Sequence, residues 1–267
     1  MIPLLPLWGA AALFLVLVMS AAWLVQRHTG QGGWADAFWS FGLGIAGVGV
    51  ALFPLGGEAP SARQLLTAVL IGLWGLRLGL HIARRAAREA EDARYARLRV
   101  EWGARFQAKM FSFLMLQAGA AAFLALSVLL AARNPTPGLT LQDGLATLLF
   151  ASALLGEGVA DRRLSAFKAD PAHRGRICDT GLWAWSRHPN YFFEWLGWCA
   201  WPLFAIDLSR AWPWGWLALT GPAYIYWLLT RVSGVPLLEA HMRRSRPEAF
   251  AAYAARTSRF FPRPPRR

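Results

Sequence analysis

Phe111-Ser112-Phe113-Leu114-Met115-Leu116-Gln117-Ala118-Gly119-Ala120-Ala121-Ala122-Phe123-Leu124-Ala125-Leu126-Ser127-Val128-Leu129-Leu130-Ala131-Ala132 is a run of 22 residues without a charge. A helix needs about 20 mostly apolar residues to cross a bilayer, and this run supplies them without a break. Similar runs lie on either side, over 4–25, 37–55, 64–83, 142–160, 190–207 and 212–230. The expected fold is therefore an all-α integral membrane protein of seven transmembrane helices, a single membrane domain over 1–267. The connections carry helix breakers: Gly30 to Gly33, Gly56-Gly57-Glu58-Ala59-Pro60, Asn134-Pro135-Thr136-Pro137-Gly138, and Pro213 near the start of the last run. The N-terminus lacks the positive region of a secretory signal, so it reads as a retained anchor despite Ser20-Ala21-Ala22.

Charge sets an orientation. The chain is 56% hydrophobic and carries 28 Lys+Arg against 15 Asp+Glu, a net +13. With the N-terminus outside, the segments 26–36, 84–110, 161–189 and 231–267 hold 24 Lys/Arg, and the opposite side holds Arg63, Arg133 and Arg210. The positive-inside rule then puts the C-terminus in the cytoplasm. Most of the net charge is topology signal and attraction to anionic membrane lipids; nothing calls for nucleic acid. The two cysteines, Cys178 and Cys199, read as free thiols, since two cannot make a disulfide framework. The five histidines show no ligand spacing, so no metal is expected.

Ionisable or amide side chains interrupt the apolar runs at Asp36, Arg77, Gln117, Glu157, Asn190 and Glu194. Such groups are costly in lipid and usually face the protein interior. In the expected topology they share the inner leaflet, which suggests a polar cavity open to the cytoplasm. Each has a plainer reading as well, a helix cap for Asp36 or snorkelling for Arg77. The densest polar stretch runs from Asp161 to Glu194. Pro189 suits the first turn of a helix, Ser186 a cap or turn ahead of it, and Asn190 and Glu194 share a face at i, i+4. A helix N-terminus attracts anions, and Lys168, Arg174, Arg176 and Arg187 add positive charge, so the region suits phosphate. A dinucleotide would fit; a surface loop binding anionic lipid fits composition equally. No Gly-x-Gly-x-x-Gly fingerprint is present.

The run Asp161…Phe167-Lys168…Arg176…Thr180-Gly181-Leu182-Trp183…Ser186-Arg187-His188-Pro189-Asn190-Tyr191…Glu194 resembles the C-terminal half of the steroid 5-alpha-reductase superfamily, and more closely its uncharacterised bacterial branch. Gly234-Val235-Pro236-Leu237-Leu238-Glu239, Arg243-Arg244-Ser245-Arg246-Pro247 and Tyr253…Arg256-Thr257-Ser258…Phe261-Pro262 agree, so the likeness covers 157–262, with weaker matches at Asp36 to Trp39, Arg77 and Asp92 to Tyr95. The resemblance implies seven membrane helices in a bacterial inner membrane. It also implies NADPH bound from the cytoplasmic side and reduction of a carbon–carbon double bond conjugated to a carbonyl in a lipophilic sterol-, terpenoid- or quinone-like substrate. By position it implies cofactor contacts from Asp161, Lys168, Arg176, Asn190 and Glu194, with Arg187, His188 and Tyr191 in the same motif and Tyr253 and Arg256 retained further on; Arg174, by its charge, and Glu239 and His241, in the C-terminal segment, complete the candidate cofactor set. Asp36, Tyr95 and Glu157 are the catalytic candidates, a carboxyl of Asp36 or Glu157 kept protonated by burial serving as proton donor. The sequence departs from the reductases at Phe193, where they commonly have Gly, and at Glu239-Ala240-His241-Met242, which replaces a His-His cluster. The C-terminal segment is also similar to isoprenylcysteine carboxyl methyltransferases, which implies S-adenosylmethionine as the alternative cofactor. A non-catalytic lipid-binding protein is the third reading. In the 84–110 segment, Asp92, Arg94 and Tyr95 read either as a lid over the cofactor or as a solvated charged face.

Overall fold

The computed structural model describes residues 4–55, 59–88 and 92–266; the breaker at 56–58 lies outside them. Among the described residues the fold is helical and contains no strand, and five helices are long and apolar enough to cross a membrane. The chain divides into two compact units, Met1–Asp143 with Phe204–Ala218, and Gly144–Leu203 with Leu219–Arg267.

The first unit is built on α1 (Leu5–Thr29), α2 (Trp34–Leu52), α3 (Ala62–Arg88), the short α4 (Ala93–Trp102) and α5 (Phe106–Ala132). α1 and α2 form a hairpin whose corner begins at Gly30, where φ is 75° and a side chain would strain the left-handed turn. α2 and α3 lie antiparallel and almost backbone to backbone. A methyl on Gly75 would stand 2.7 Å from the Gly44 Cα, and one on Gly79 2.5 Å from the Phe41 ring. Small residues let helices approach this closely, and within lipid that van der Waals contact is the main force between them. α5 takes hydrogen bonds from three indoles, Trp8 Nε1 to Ala122 O (2.7 Å), Trp23 Nε1 to Gln107 O (3.2 Å) and Trp39 Nε1 to Gln117 O (3.1 Å). These tryptophans fix the register of α1 and α2 on α5.

At the end of this bundle where α3 begins, Arg63 is buried with Asp143. Its Nε and Nη2 each donate at 2.8 Å to the carboxylate, and the remaining N–H groups reach the carbonyls of Asn134, Thr136 and Gly138. Thr140 donates to Asp143 through both its backbone N–H and its hydroxyl. A buried ion pair is tolerated when each partner's remaining hydrogen bonds are met, and here the guanidinium sews the Asn134 to Gly138 loop to the helix ends.

The second unit holds most of α6 (Leu141–Ala169), then α7 (Leu182–Trp185), α8 (Pro189–Trp198), the first four residues of α9 (Ala200–Ala205), α10 (Thr220–Trp227), α11 (Val235–Ser245) and α12 (Pro247–Arg256). The run at 190–207 is not one helix: α8 stops at Trp198 and α9 resumes at Ala200. Pro202 explains the break, since it has no N–H for the Trp198 carbonyl and its ring crowds that oxygen. The run at 212–230 is a 3-10 segment (Pro213–Leu219), then α10, then a π-helical turn (Leu228–Val232). Pro222 likewise deprives the Ala218 carbonyl of its helical donor, and the Ser127 hydroxyl donates to it instead at 3.1 Å. α1 runs four residues past its apolar stretch, and α3 five.

Candidate functional site

In the first unit the sequence candidates Asp36 and Tyr95 meet. Asp36 occupies the first turn of α2. The Tyr95 hydroxyl donates to its Oδ1 at 2.9 Å, and Arg94 Nη2 donates to its Oδ2 at 2.5 Å. The Gln117 amide of α5 lies beside the same hydroxyl. Asp92 caps α4, accepting from the Arg94 backbone and side chain and from Arg85 Nη2. Burial works against the charged form of Asp92, but the hydrogen bonds and charge of Arg94, with Arg85, hold its carboxyl below the ordinary value. Tyr95 is 2% exposed, its ring lying on Gly32, where a methyl would stand 2.2 Å from Cγ. The solvated-face reading of Asp92 to Tyr95 is therefore corrected: α4 begins by turning its cap and its tyrosine inward onto Asp36. The proton-donor role expected of Asp36 does not suit this geometry either, because its carboxylate is the acceptor of both Arg94 and Tyr95. In this pair the tyrosine is the donor. Arg94, read from the sequence only as part of a lid or a solvated face, is the ionic partner of Asp36.

Arg77 is half-buried on α3, within the same unit. Two further polar side chains were passed over. Gln26, expected in a loop, is in α1 and fully buried, and neither amide atom has a hydrogen-bond partner. The same holds for the Gln107 carbonyl oxygen on α5.

In the second unit the C-terminal segment folds back along the motif. Ser186 and Ser258 bridge in parallel, Arg187 N–H donates to Ser258 O at 2.8 Å, Ser186 Oγ to Phe260 O at 2.8 Å, and Arg263 N–H to Trp185 O at 3.0 Å. Glu239 sits at the centre, 3% exposed. It takes Arg187 Nε and Nη2 at 2.9 and 2.8 Å and lies 3.3 Å from His188 Nε2, with Arg243 and Arg259 on its other oxygen. Burial would raise the Glu239 carboxyl. Hydrogen bonds from His188 and Arg187 and the Arg187 charge outweigh it and bring the value down to about 2. Burial also pulls His188 below its ordinary value, against the attraction of Glu239. Arg187 Nη1 closes onto the carbonyls of Ala254 and Thr257, and the Tyr253 hydroxyl donates to Trp183 O at 2.6 Å; burial raises that phenol. Arg187, His188, Glu239 and Tyr253 thus spend their polar atoms on the chain itself and shape the loop.

The other candidates fall into two sets. Tyr191 stacks on His188 with ring centroids 5.7 Å apart, and Glu194 accepts from Trp198 Nε1 at 2.8 Å. Glu157 and Asp161 are buried one turn apart on α6, and Asn190 is half-buried at the start of α8. Phe193 fills the slot over Gly156, where a methyl would stand 2.4 Å from its ring, so the residue that departs from the reductase pattern is accommodated by a glycine on α6. Lys168, Arg174, Arg176 and His241 are exposed; Arg256 is exposed and paired with Asp179. Phe167 and His173, each the residue immediately before one of the first two of these cations, stack at 4.1 Å. The donor set that reaches solvent, three cations close in sequence to an aromatic pair, is chemistry that suits a phosphorylated nucleotide.

A family described as a protein of unknown function, DUF1295, matches residues 22–257, so the chain belongs to that family. No curated protein and no solved structure matches it.

Proposed function

We propose that this member of the family is a membrane-embedded, NADPH-dependent reductase acting on a carbon–carbon double bond conjugated to a carbonyl in a lipophilic substrate. The broken helices at 189–205 and 213–232 complete seven crossings in this reading, with the arginine-rich segments in the cytoplasm. The observation that carries it is the Tyr95 hydroxyl, held by Asp36, which Arg94 holds in turn, at the end of an apolar bundle. As the β-carbon takes hydride, negative charge collects on the carbonyl oxygen, where an oriented phenol stabilises it and passes its proton to the oxygen; the enol then tautomerises to the saturated carbonyl and the phenol is reprotonated from solvent. Tyr95 turns from Asp36 to that oxygen; Arg94 keeps the carboxylate in place, and Asp36 orients the ring hydroxyl. Tyr95 itself is 2% exposed, and burial of the phenol strengthens its hydrogen bond.

NADPH, when bound, supplies the hydride. In the second unit Lys168, Arg174 and Arg176 hold its phosphates, Phe167 and His173 offer an aromatic surface, and Asn190 presents an amide. Arg187, His188, Glu239 and Tyr253 act one step back, fixing the loop on which these groups stand. The departure at Phe193 leaves this set untouched. The test is a titration of the detergent-solubilised protein with NADPH and, separately, with S-adenosylmethionine. Saturable NADPH binding, weakened at least a hundredfold in Lys168→Ala/Arg174→Ala/Arg176→Ala, is expected. Binding of S-adenosylmethionine instead, or of neither, overturns the reading.

A further inference from the structure

A buried amide with neither atom bonded is a costly arrangement, and Gln26 is such an amide at 0% exposure. Its surroundings are defined from three sides. The α1–α2 register, set by Gly42 against Leu15 and Val18, brings Gln26 level with the Gly32–Gly33 corner on which the Tyr95 ring rests. On the α5 side, Trp23, one turn before Gln26, donates to the Gln107 backbone carbonyl, so Gln107, whose side-chain oxygen is also buried and unbonded, stands within a turn of the level of Gln26 on the neighbouring helix. Arg99 closes the third side: its Nη2 donates to Gly30 O at 2.6 Å while its guanidinium stands 4.5 Å over the ring of Phe106, the neighbour of Gln107.

The unmet groups are one amide nitrogen, which donates, and two amide oxygens, which accept. A carbonyl ligand answers only the first. A hydroxyl both donates and accepts, so it answers the Gln26 nitrogen and one of the oxygens, and an apolar body suits the buried side chains that continue along the same two helices, Ala22 and Met19 one and two turns before Gln26 on α1 and Phe106 and Met110 on α5. We propose that Gln26 and Gln107 form a binding site for the hydroxyl head of a lipophilic alcohol between α1 and α5. The proposal goes beyond the reductase reading and does not depend on nucleotide or turnover.

The experiment measures binding of 1-dodecanol, farnesol and cyclododecanol to the solubilised full-length protein by thermal shift, each against its methyl ether, which keeps the acceptor and removes the donor. At least one alcohol is expected to raise the melting temperature saturably where its ether does not. Its apparent Kd should weaken about tenfold in Gln26→Met, the worth of one neutral hydrogen bond. Gln107→Leu, on the other helix, gives the same readout should Gln26→Met fail to fold. Equal binding of alcohol and ether, unchanged affinity in both variants, or no shift with any of the three alcohols overturns the proposal; the last result assigns the amides to water.

Discussion

Two carboxylates in the first unit, Asp143 and Asp36, each face an arginine, and they do different things. The antiparallel packing of α2 on α3 puts Arg63, at the start of α3, and Asp36, at the start of α2, at opposite ends of that helix pair. Arg63 and Asp143 are each 3% exposed, and every guanidinium N–H has an acceptor. Arg94 and Asp36 are 37% and 21% exposed, Asp36 also accepts from the Tyr95 hydroxyl, and the Tyr95 ring rests on the helix corner that follows the unbonded Gln26. A closed ion pair is architecture; an open one with a donor waiting is where a ligand's polar groups can be met.

The largest effect that sharpens this contrast is on stability at the closed end. Asp143→Ala leaves the Arg63 charge buried and unpaired and should cost about 3–5 kcal/mol. Denaturation in detergent should show that loss while the protein that remains folded keeps its ligand affinity. At the open end the balance reverses. Tyr95→Phe should slow turnover by about a hundred- to a thousandfold, the usual worth of one donor to a developing oxyanion, and change stability by only about 1 kcal/mol. A variant that instead melted like Asp143→Ala would make Tyr95 architecture too.

Smaller effects probe the supports. Gly32→Ala drives a methyl into the Tyr95 ring and should cost about 1–3 kcal/mol as overpacking, with turnover falling alongside; Gly119→Ala, where a methyl meets nothing within 4 Å, is the control. The second unit supplies its own closed case in Glu239. Its folded value near 2 lies below the ordinary 4.5, so its stabilisation is complete above about pH 4.5 and is lost as pH falls toward 2. The melting temperature should decline across that window in the wild type, and the Glu239→Gln variant should lack that part of the decline while melting lower near neutrality.

The five long helices were readable because an unbroken apolar run of this length has one stable form in lipid. The sixth and seventh runs were readable as apolar but not as broken, since Pro202 and Pro222 matter only through the carbonyl four residues earlier. Asp36 and Tyr95 could be named from the sequence, but their pairing depends on α4 folding back, which no periodicity encodes. Gln26 was missed because it sits where the apolar run ends and a loop was expected to start. Arg187 and Glu239, by contrast, looked like ligand-binding residues, because composition cannot distinguish an arginine that meets phosphate from one that meets its own chain.

The most direct test of the central claim follows the transferred hydrogen. Purified protein in lipids of its own membrane is incubated with NADPH deuterated at its reactive nicotinamide carbon, and the lipids are screened by mass spectrometry. The account predicts a lipophilic product carrying one deuterium from the wild type, formed at least a hundredfold more slowly by Tyr95→Phe although that variant still binds NADPH. No deuterated lipid, or equal labelling by both proteins, would contradict it.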